Sequence, residues 1–275
     1  MLYNKKIAVI NDFCGFGRCS IAVQLPIISS LKIQCCPMPT SIFSNHTGYD
    51  SFYYTDFTKH MISYIDEWKK LNIKFNAVLT GFLASTQQIK IVKYFFNSLE
   101  NTIKIVDPVM GDNGNLYPTY SNDLAQKMKE LICFADILTP NLTEACILTD
   151  TKYNKNISND ELNLICDKLS SINPKKIVIS GIERDEHIEN FIYEQGKNYQ
   201  IIKENKIYGC RSGTGDVFSS IIAADIVNSI DFDLSVRHAS AFIAKCLKTT
   251  NELNIPSTDG ICFENHLYEI GDVKP

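Results

Sequence analysis

The sequence predicts a doubly wound α/β domain of three layers, with a mostly parallel central sheet, helices on both faces and an antiparallel hairpin at one edge. Three observations predict it. Short apolar runs bounded by turn residues alternate with longer amphipathic stretches. The runs are continuous rather than alternating, as in strands covered on both faces. After residue 180 the rhythm changes to two strand-like runs around Gln195-Gly196-Lys197-Asn198, the pattern of an edge hairpin.

In chain order, strands are expected at 7–10, 33–37, 77–80, 103–106, 136–138 and 177–180. Amphipathic helices are expected at 57–71, 86–99, 122–134 and 160–169. The hairpin takes 191–193 and 200–208, and two further helices follow at 215–230 and 234–247. The aromatics of 57–68 recur at helical spacing and read as core or as a dimer face. Neither a linker nor an internal repeat interrupts the 275 residues, so residues 1–275 are expected to form a single domain. In such sheets ligands sit beyond the carboxyl ends of the strands. The polar residues just after each strand are therefore the candidates.

Composition narrows the classes. With 45% hydrophobic and 21% charged residues, the chain is neither disordered nor fibrous. The net charge is −4 and basic residues cluster only in pairs such as Lys69-Lys70 and Lys175-Lys176, which argues against a nucleic-acid partner. The ten cysteines are scattered without a Cys-x-x-Cys pair, and read as reduced thiols of a cytoplasmic protein. The apolar stretch from Ile7 to Ile10 is too short for a signal peptide, and no run approaches the ~20 apolar residues of a membrane helix.

Gly15-Phe-Gly-Arg-Cys-Ser20 follows the first strand and invites a dinucleotide-binding reading, hence an oxidoreductase as the alternative from another class. Ser20 stands where the third glycine belongs, and no acidic residue follows about 20 positions on. A Walker loop is missing, because Phe191 occupies the first glycine position ahead of Gly196-Lys197. A different phosphate device stands at Arg211-Ser-Gly-Thr-Gly-Asp216. Two glycines let backbone N–H groups converge, and the following helix aims its positive end at the same point. Asp216 in the first turn could accept a proton from a substrate hydroxyl. The same six residues also fit a glycine turn with an acidic residue favouring a helix start. Cys210 beside them reads as a small apolar loop residue.

Arg-Ser-Gly-Thr-Gly-Asp before a small-residue helix resembles the C-terminal signature of the ribokinase-like superfamily. That resemblance implies Asp216 as catalytic base and the amides of Gly213, Thr214 and Gly215 as anion hole. Two further stretches agree. Asp107-Pro-Val-Met-Gly-Asp112 leads into Asn113-Gly-Asn-Leu-Tyr117, a loop that could cover a site, and its carboxylates suit Mg²⁺. Thr139-Pro-Asn141-Leu-Thr-Glu144 resembles the family's Asn-x-x-Glu motif, and also reads as a capping box. The resemblance implies metal held through Asp107, Asp112, Asn141 and Glu144. It also implies ATP contacts from Asp112, Thr139, Asn141, Ser180, Gly213 and Gly215, and K⁺ near Thr139 and Glu144.

Phe43-Ser-Asn-His-Thr47-Gly-Tyr49 is similar to a segment of pyridoxal kinases that lines the vitamin B6 ring pocket. The expectation is an ATP-dependent kinase of the 5′-hydroxymethyl group of B6 vitamers, forming a homodimer, with Asn11, Asp12, Phe43, His46, Thr47 and Phe82 against the substrate. The chain departs from that family in carrying Asn11-Asp12 where a Ser is common and Phe82 where a Tyr is. Asp12 could hold a protonated ring or amine, or be a solvent-facing loop residue. Hydroxymethylpyrimidine kinase is the nearest alternative. Members of that group often have Cys where this chain has Asp216.

Overall fold

The computed structural model describes residues 4–117, 120–207, 209 and 211–271. Its elements are β1 (Lys6–Phe16), α1 (Ser20–Ser30), β2 (Gln34–Asn45), β3 (Tyr54–Asp56), α2 (Thr58–Lys70), β4 (Ala77–Thr80), α3 (Thr86–Asn97), β5 (Ile103–Val106), β6 (Gly111–Asp112), β7 (Asn115–Leu116), α4 (Asn122–Ile132), β8 (Ile137–Leu138), α5 (Leu142–Leu148), α6 (Asn159–Ile172), β9 (Lys176–Arg184), β10 (His187–Glu194), β11 (Gln200–Asn205), α7 (Thr214–Val227) and α8 (Phe232–Glu252). The chain falls into two compact units, residues 1–81 with 207–275 and residues 82–206.

In the first unit the strand order is β3-β2-β1-β4, parallel except for β3. Ile7, Ala8, Val9 and Ile10 are fully buried, as a continuous apolar run predicts. Helix α7 packs against both α1 and α8 and buries every residue from Val217 to Asp225. A helix covered on so many sides needs no polar face, which is why its apolar residues show little periodicity. Helix α2 buries only Met61 and Ile65, while Phe57, Tyr64, Trp68 and Phe75 form a chain of tilted and edge-on ring contacts.

The second unit orders its main strands β5-β8-β9-β10-β11, the first three parallel and the last two joined as the expected antiparallel hairpin. Tyr208, the expected end of that hairpin, and Cys210 lie outside the described residues, as do positions 118 and 119 just past the expected covering loop. Ser85, Ser121, Asn141 and Ser158 cap their helices with side-chain oxygens. A small second hairpin, β6 with β7, turns at Asn113 and Gly114, both at positive φ, as a two-residue hairpin turn demands.

Two of the departures from the expected elements bear on the site. β1 continues to Phe16 and β2 to Asn45, and the extensions pair with each other past a bulge between Asn11 and Phe13. The extensions mix polar and apolar residues, so their strand character is set by pairing rather than by burial. Helix α1 has no counterpart among the expected helices. It is apolar on most sides and contains Pro26, and both features hide a 3.6-residue period.

Candidate active site

In the first unit Asp216 is the centre of a dense polar cluster. The Ser20 N–H donates to its Oδ2 at 2.7 Å, and the Asn11 amide donates to its Oδ1 at 3.0 Å. Ser20 makes that bond from a left-handed conformation, φ 57°, which costs a non-glycine residue about 1–3 kcal/mol. Its hydroxyl also bonds the Asp12 carboxylate, so one serine bridges both acids. Asp12 is 6% exposed and accepts from the Cys14 thiol at 3.2 Å. The solvent-facing reading of Asp12 is therefore corrected: the bulge in β1 turns it inward. Burial pushes the Asp216 carboxyl up to about 7, the Ser20 and Asn11 donors oppose that, and the Asp12 charge adds to it. Burial raises Asp12 as well.

Acting as a proton acceptor, Asp216 would have to be ionised, and turnover should then rise with pH along an acid limb near pH 7. Replacing Asp12 with Asn removes a like charge, which lowers the Asp216 pKa and should move that limb to lower pH. A kcat/KM profile of the two proteins checks the sign; a limb moving up would contradict it.

Gly213 caps α7 from φ +84°, with no side-chain cap on the helix. A Cβ there would stand 2.2 Å from the Arg18 carbonyl oxygen, so the turn accepts only glycine. The first-turn N–H groups of α7, at Thr214, Gly215 and Asp216, face outward along a helix dipole and suit an anion. Ile261 N–H donates to the Ser212 carbonyl, and Gly260 lies against Arg18, which pins the turn from a second side.

Of the expected substrate residues in this unit, Phe43 stacks on Tyr54 at 5.3 Å and is nearly buried. Gly48 N–H donates to His46 Nδ1, which leaves Nε2 as the protonated nitrogen, donating to the Thr258 carbonyl at 2.7 Å. Gly17 and Gly48 flank that imidazole so closely that a Cβ on either would strike it. Thr47 is exposed beside it. Tyr49 donates its hydroxyl to Asp259 at 2.9 Å. Thr258 and Asp259 escape sequence reasoning, because they lie some 210 residues from the loop they hold. The Gly15 reading also changes. Gly15 and Phe16 belong to β1 itself, so the tight turn of a dinucleotide fingerprint does not form there.

The second unit places its candidates at strand ends. Asp107 follows β5 and is 8% exposed; Thr139 follows β8 and is 4% exposed. Asn141 and Glu144 form a full capping box on α5. Asn141 also donates to the Gly111 carbonyl at 2.8 Å, and Glu144 accepts the Met110 N–H at 3.0 Å, so this box ties down the segment leading into β6. Burial pushes the Glu144 carboxyl up to about 8, against the pull of three backbone N–H groups, and the Asp112 charge adds to it. Ser180 bridges to Asn141 through the Pro140 carbonyl. Phe82 meets Tyr120 edge-on at 6.0 Å.

No three His, Cys, Asp or Glu side chains converge into a metal cage among the described residues. Mg²⁺ does not need one, since it keeps waters and takes one or two carboxylates plus substrate phosphates. Asp112 and Glu144 repel each other, and the Thr139 hydroxyl oxygen is buried without a partner. An all-oxygen set with excess negative charge and an orphaned hydroxyl fits hard cations.

The phosphomethylpyrimidine kinase family model matches residues 23–261, and the chain belongs to that family. Its fold is the ribokinase-like three-layer α/β/α fold that the sequence predicts. A pyridoxal kinase of Dictyostelium discoideum is 29% identical over 96% of this chain and 92% of its own length. A Bacteroides thetaiotaomicron protein, provisionally described as a phosphomethylpyrimidine kinase and crystallised with pyridoxal, is 34% identical. It matches with a TM-score of 0.95, over 99% of this chain and 97% of that one. Pyridoxal kinase of Leishmania donovani, in complex with ADP and pyridoxamine, shares the fold with a TM-score of 0.87 at 19% identity, over 97% of this chain and 96% of that one. Among the described residues all cysteines are free, and no helix is long and apolar enough to cross a membrane.

Proposed function

We propose that this chain is an ATP-dependent kinase that phosphorylates the 5′-hydroxymethyl group of vitamin B6 vitamers. The observation that carries the proposal is Asp216. It is a carboxylate tuned to about 7, set in the first turn of a helix whose N-terminus is opened by a glycine turn. The substrate oxygen attacks the γ-phosphorus as the bond to the leaving ADP oxygen breaks, and Asp216 takes the hydroxyl proton. The amides of Gly213, Thr214 and Gly215 hold charge on the transferring group. Phe43, His46 and Thr47 would bound the ring, Asn11 and Asp12 would shape the reacting end, and Phe82 is the substrate-contact candidate of the second unit.

Asp107, Asp112, Asn141 and Glu144 would hold Mg²⁺, partly through waters. The metal supplies charge neutralisation on the phosphates. Thr139 and Glu144 would also serve K⁺, and Ser180 would lie along the nucleotide. The β6–β7 hairpin would close over the phosphates and exclude water. A single working domain, a homodimer and a cytoplasmic location complete the proposal. The dinucleotide-dependent oxidoreductase reading loses its support with the turn at Gly15.

A second reading, phosphorylation of hydroxymethylpyrimidine, is favoured by the description of the matching family. One assay separates them: ADP release with Mg·ATP and K⁺, comparing pyridoxal, pyridoxamine, pyridoxine and hydroxymethylpyrimidine. Rapid turnover with a B6 vitamer is the expected result. Turnover with the pyrimidine alone would overturn the B6 reading and retain the kinase.

A further inference from the structure

Gln24 is fully buried in α1, at 0% exposure, and its Nε2 has no hydrogen-bond partner. Keeping a buried amide half-satisfied costs stability relative to an apolar residue of the same shape. Its other end explains why it is there. The Gln24 Oε1 accepts a hydrogen from Asn11 Nδ2 at 3.0 Å. The second hydrogen on that nitrogen goes to Asp216 Oδ1 at 3.0 Å, and Asn11 Oδ1 accepts the Asp12 N–H at 2.9 Å. These contacts fix which way the Asn11 amide faces. With Gln24 accepting on one side and the Asp12 N–H donating on the other, only the NH₂ group can point at Asp216. Gly81 closes the arrangement, since a Cβ there would stand 2.5 Å from the Asn11 side chain.

We infer that Gln24 and Asn11 are positioning residues for the proposed base: Gln24 orients the Asn11 amide, and Asn11 fixes Oδ1 of Asp216 while the Ser20 N–H fixes Oδ2, so that the carboxylate is held in one orientation for the substrate hydroxyl. The inference rests on the reading of Asp216 as base and adds two residues to it. A donor to an ionised carboxylate favours ionisation, so the chain also works against the burial that raises Asp216. Asp12 on β1 is the other charge acting on Asp216. Helix α1 and strand β4, which pack on α7, carry no charged residue, and on α8 His238 is paired with Asp225 of α7 rather than with Asp216.

The test uses Gln24→Met, which keeps the volume and removes the orphaned donor together with the acceptor. The melting temperature should stay level or rise, while kcat falls about 3–10-fold and the acid limb of kcat/KM moves up by about one pH unit, the size of one hydrogen bond to a charged group. Asn11→Ala should do the same more strongly. In the double variant the effect of Gln24→Met should vanish, because Gln24 acts only through Asn11. An unmoved acid limb in Gln24→Met, or full additivity in the double variant, would overturn the inference. If Gln24→Met fails to fold, Asn11→Ser carries the same pH measurement: a limb that moves up supports the inference, and an unmoved one overturns it. Asp216→Asn is assayed in parallel to keep the two ideas apart. An inactive Asp216→Asn with an unmoved Gln24→Met limb rejects the positioning chain alone. An active Asp216→Asn rejects the base and the chain with it.

Discussion

Replacing Asp216 with Ala is expected to lower kcat by about 10²–10⁴-fold, the range over which a positioned general base contributes. ATP affinity should change little, because Asp216 bonds Ser20 and Asn11 and, in the proposed reaction, serves the acceptor hydroxyl rather than the nucleotide. The split between kcat and nucleotide affinity is the informative readout. Steady-state kinetics with a B6 vitamer gives the first, and calorimetric titration with ADP gives the second. A variant that turns over at the normal rate would remove Asp216 from its role. A variant that loses ADP binding and keeps kcat would move it to the nucleotide. The substitution also frees Ser20 from its bridge between two acids, so the strained φ of 57° loses one of its two anchors. Local opening around the start of α1, followed by hydrogen exchange, should rise in this variant.

Replacing Gly213 with Ala should be nearly as damaging by a different route. The new Cβ would lie 2.2 Å from the Arg18 oxygen and 3.0 Å from its carbonyl carbon, and both are backbone atoms that cannot rotate away. The residue would also hold φ near +84°, where alanine costs about 1–3 kcal/mol. The turn must shift, and a shift of about an ångström misaims the N–H groups of α7. Loss of oxyanion-type donors costs about 10²–10³-fold in kcat. Gly215→Ala is the control for the backbone: nothing lies within 4 Å of its Cβ position and it sits inside the helix, so the fold should tolerate it. A Gly213→Ala protein with normal kcat would show that the turn has no part in holding the transferring group.

Much of this molecule is written locally. The strands at 77–80 and 103–106 appear where continuous apolar runs place them, because a strand covered on both faces must be apolar throughout. The edge hairpin, the Asn141–Glu144 box and the glycine turn before α7 are legible for the same kind of reason. Each rests on residues within a few positions of one another, whose backbone preferences or side-chain reach act at short range. Helix α1 is not legible, since its less buried side carries Leu25 and Pro26 rather than charged residues and so shows no polar face to reveal its period.

The site divides along the same line. The residue types that could do the chemistry, Asp216 with its glycines and the Asp107–Asp112 and Asn141–Glu144 groups, follow from short motifs in the sequence alone. Their partners do not. In the sequence Ser20 looks like a failed glycine, Asn11 like a substrate contact and Gln24 like nothing at all. Yet the three hold the proposed base through contacts that span 13 to 205 residues of chain. Asp12 likewise could face solvent or a ligand until the bulge in β1 turns it inward. A motif specifies which groups are available, because it acts through neighbouring backbone. The ionisation and aim of those groups depend on burial and on donors brought from distant segments, and only tertiary packing supplies both.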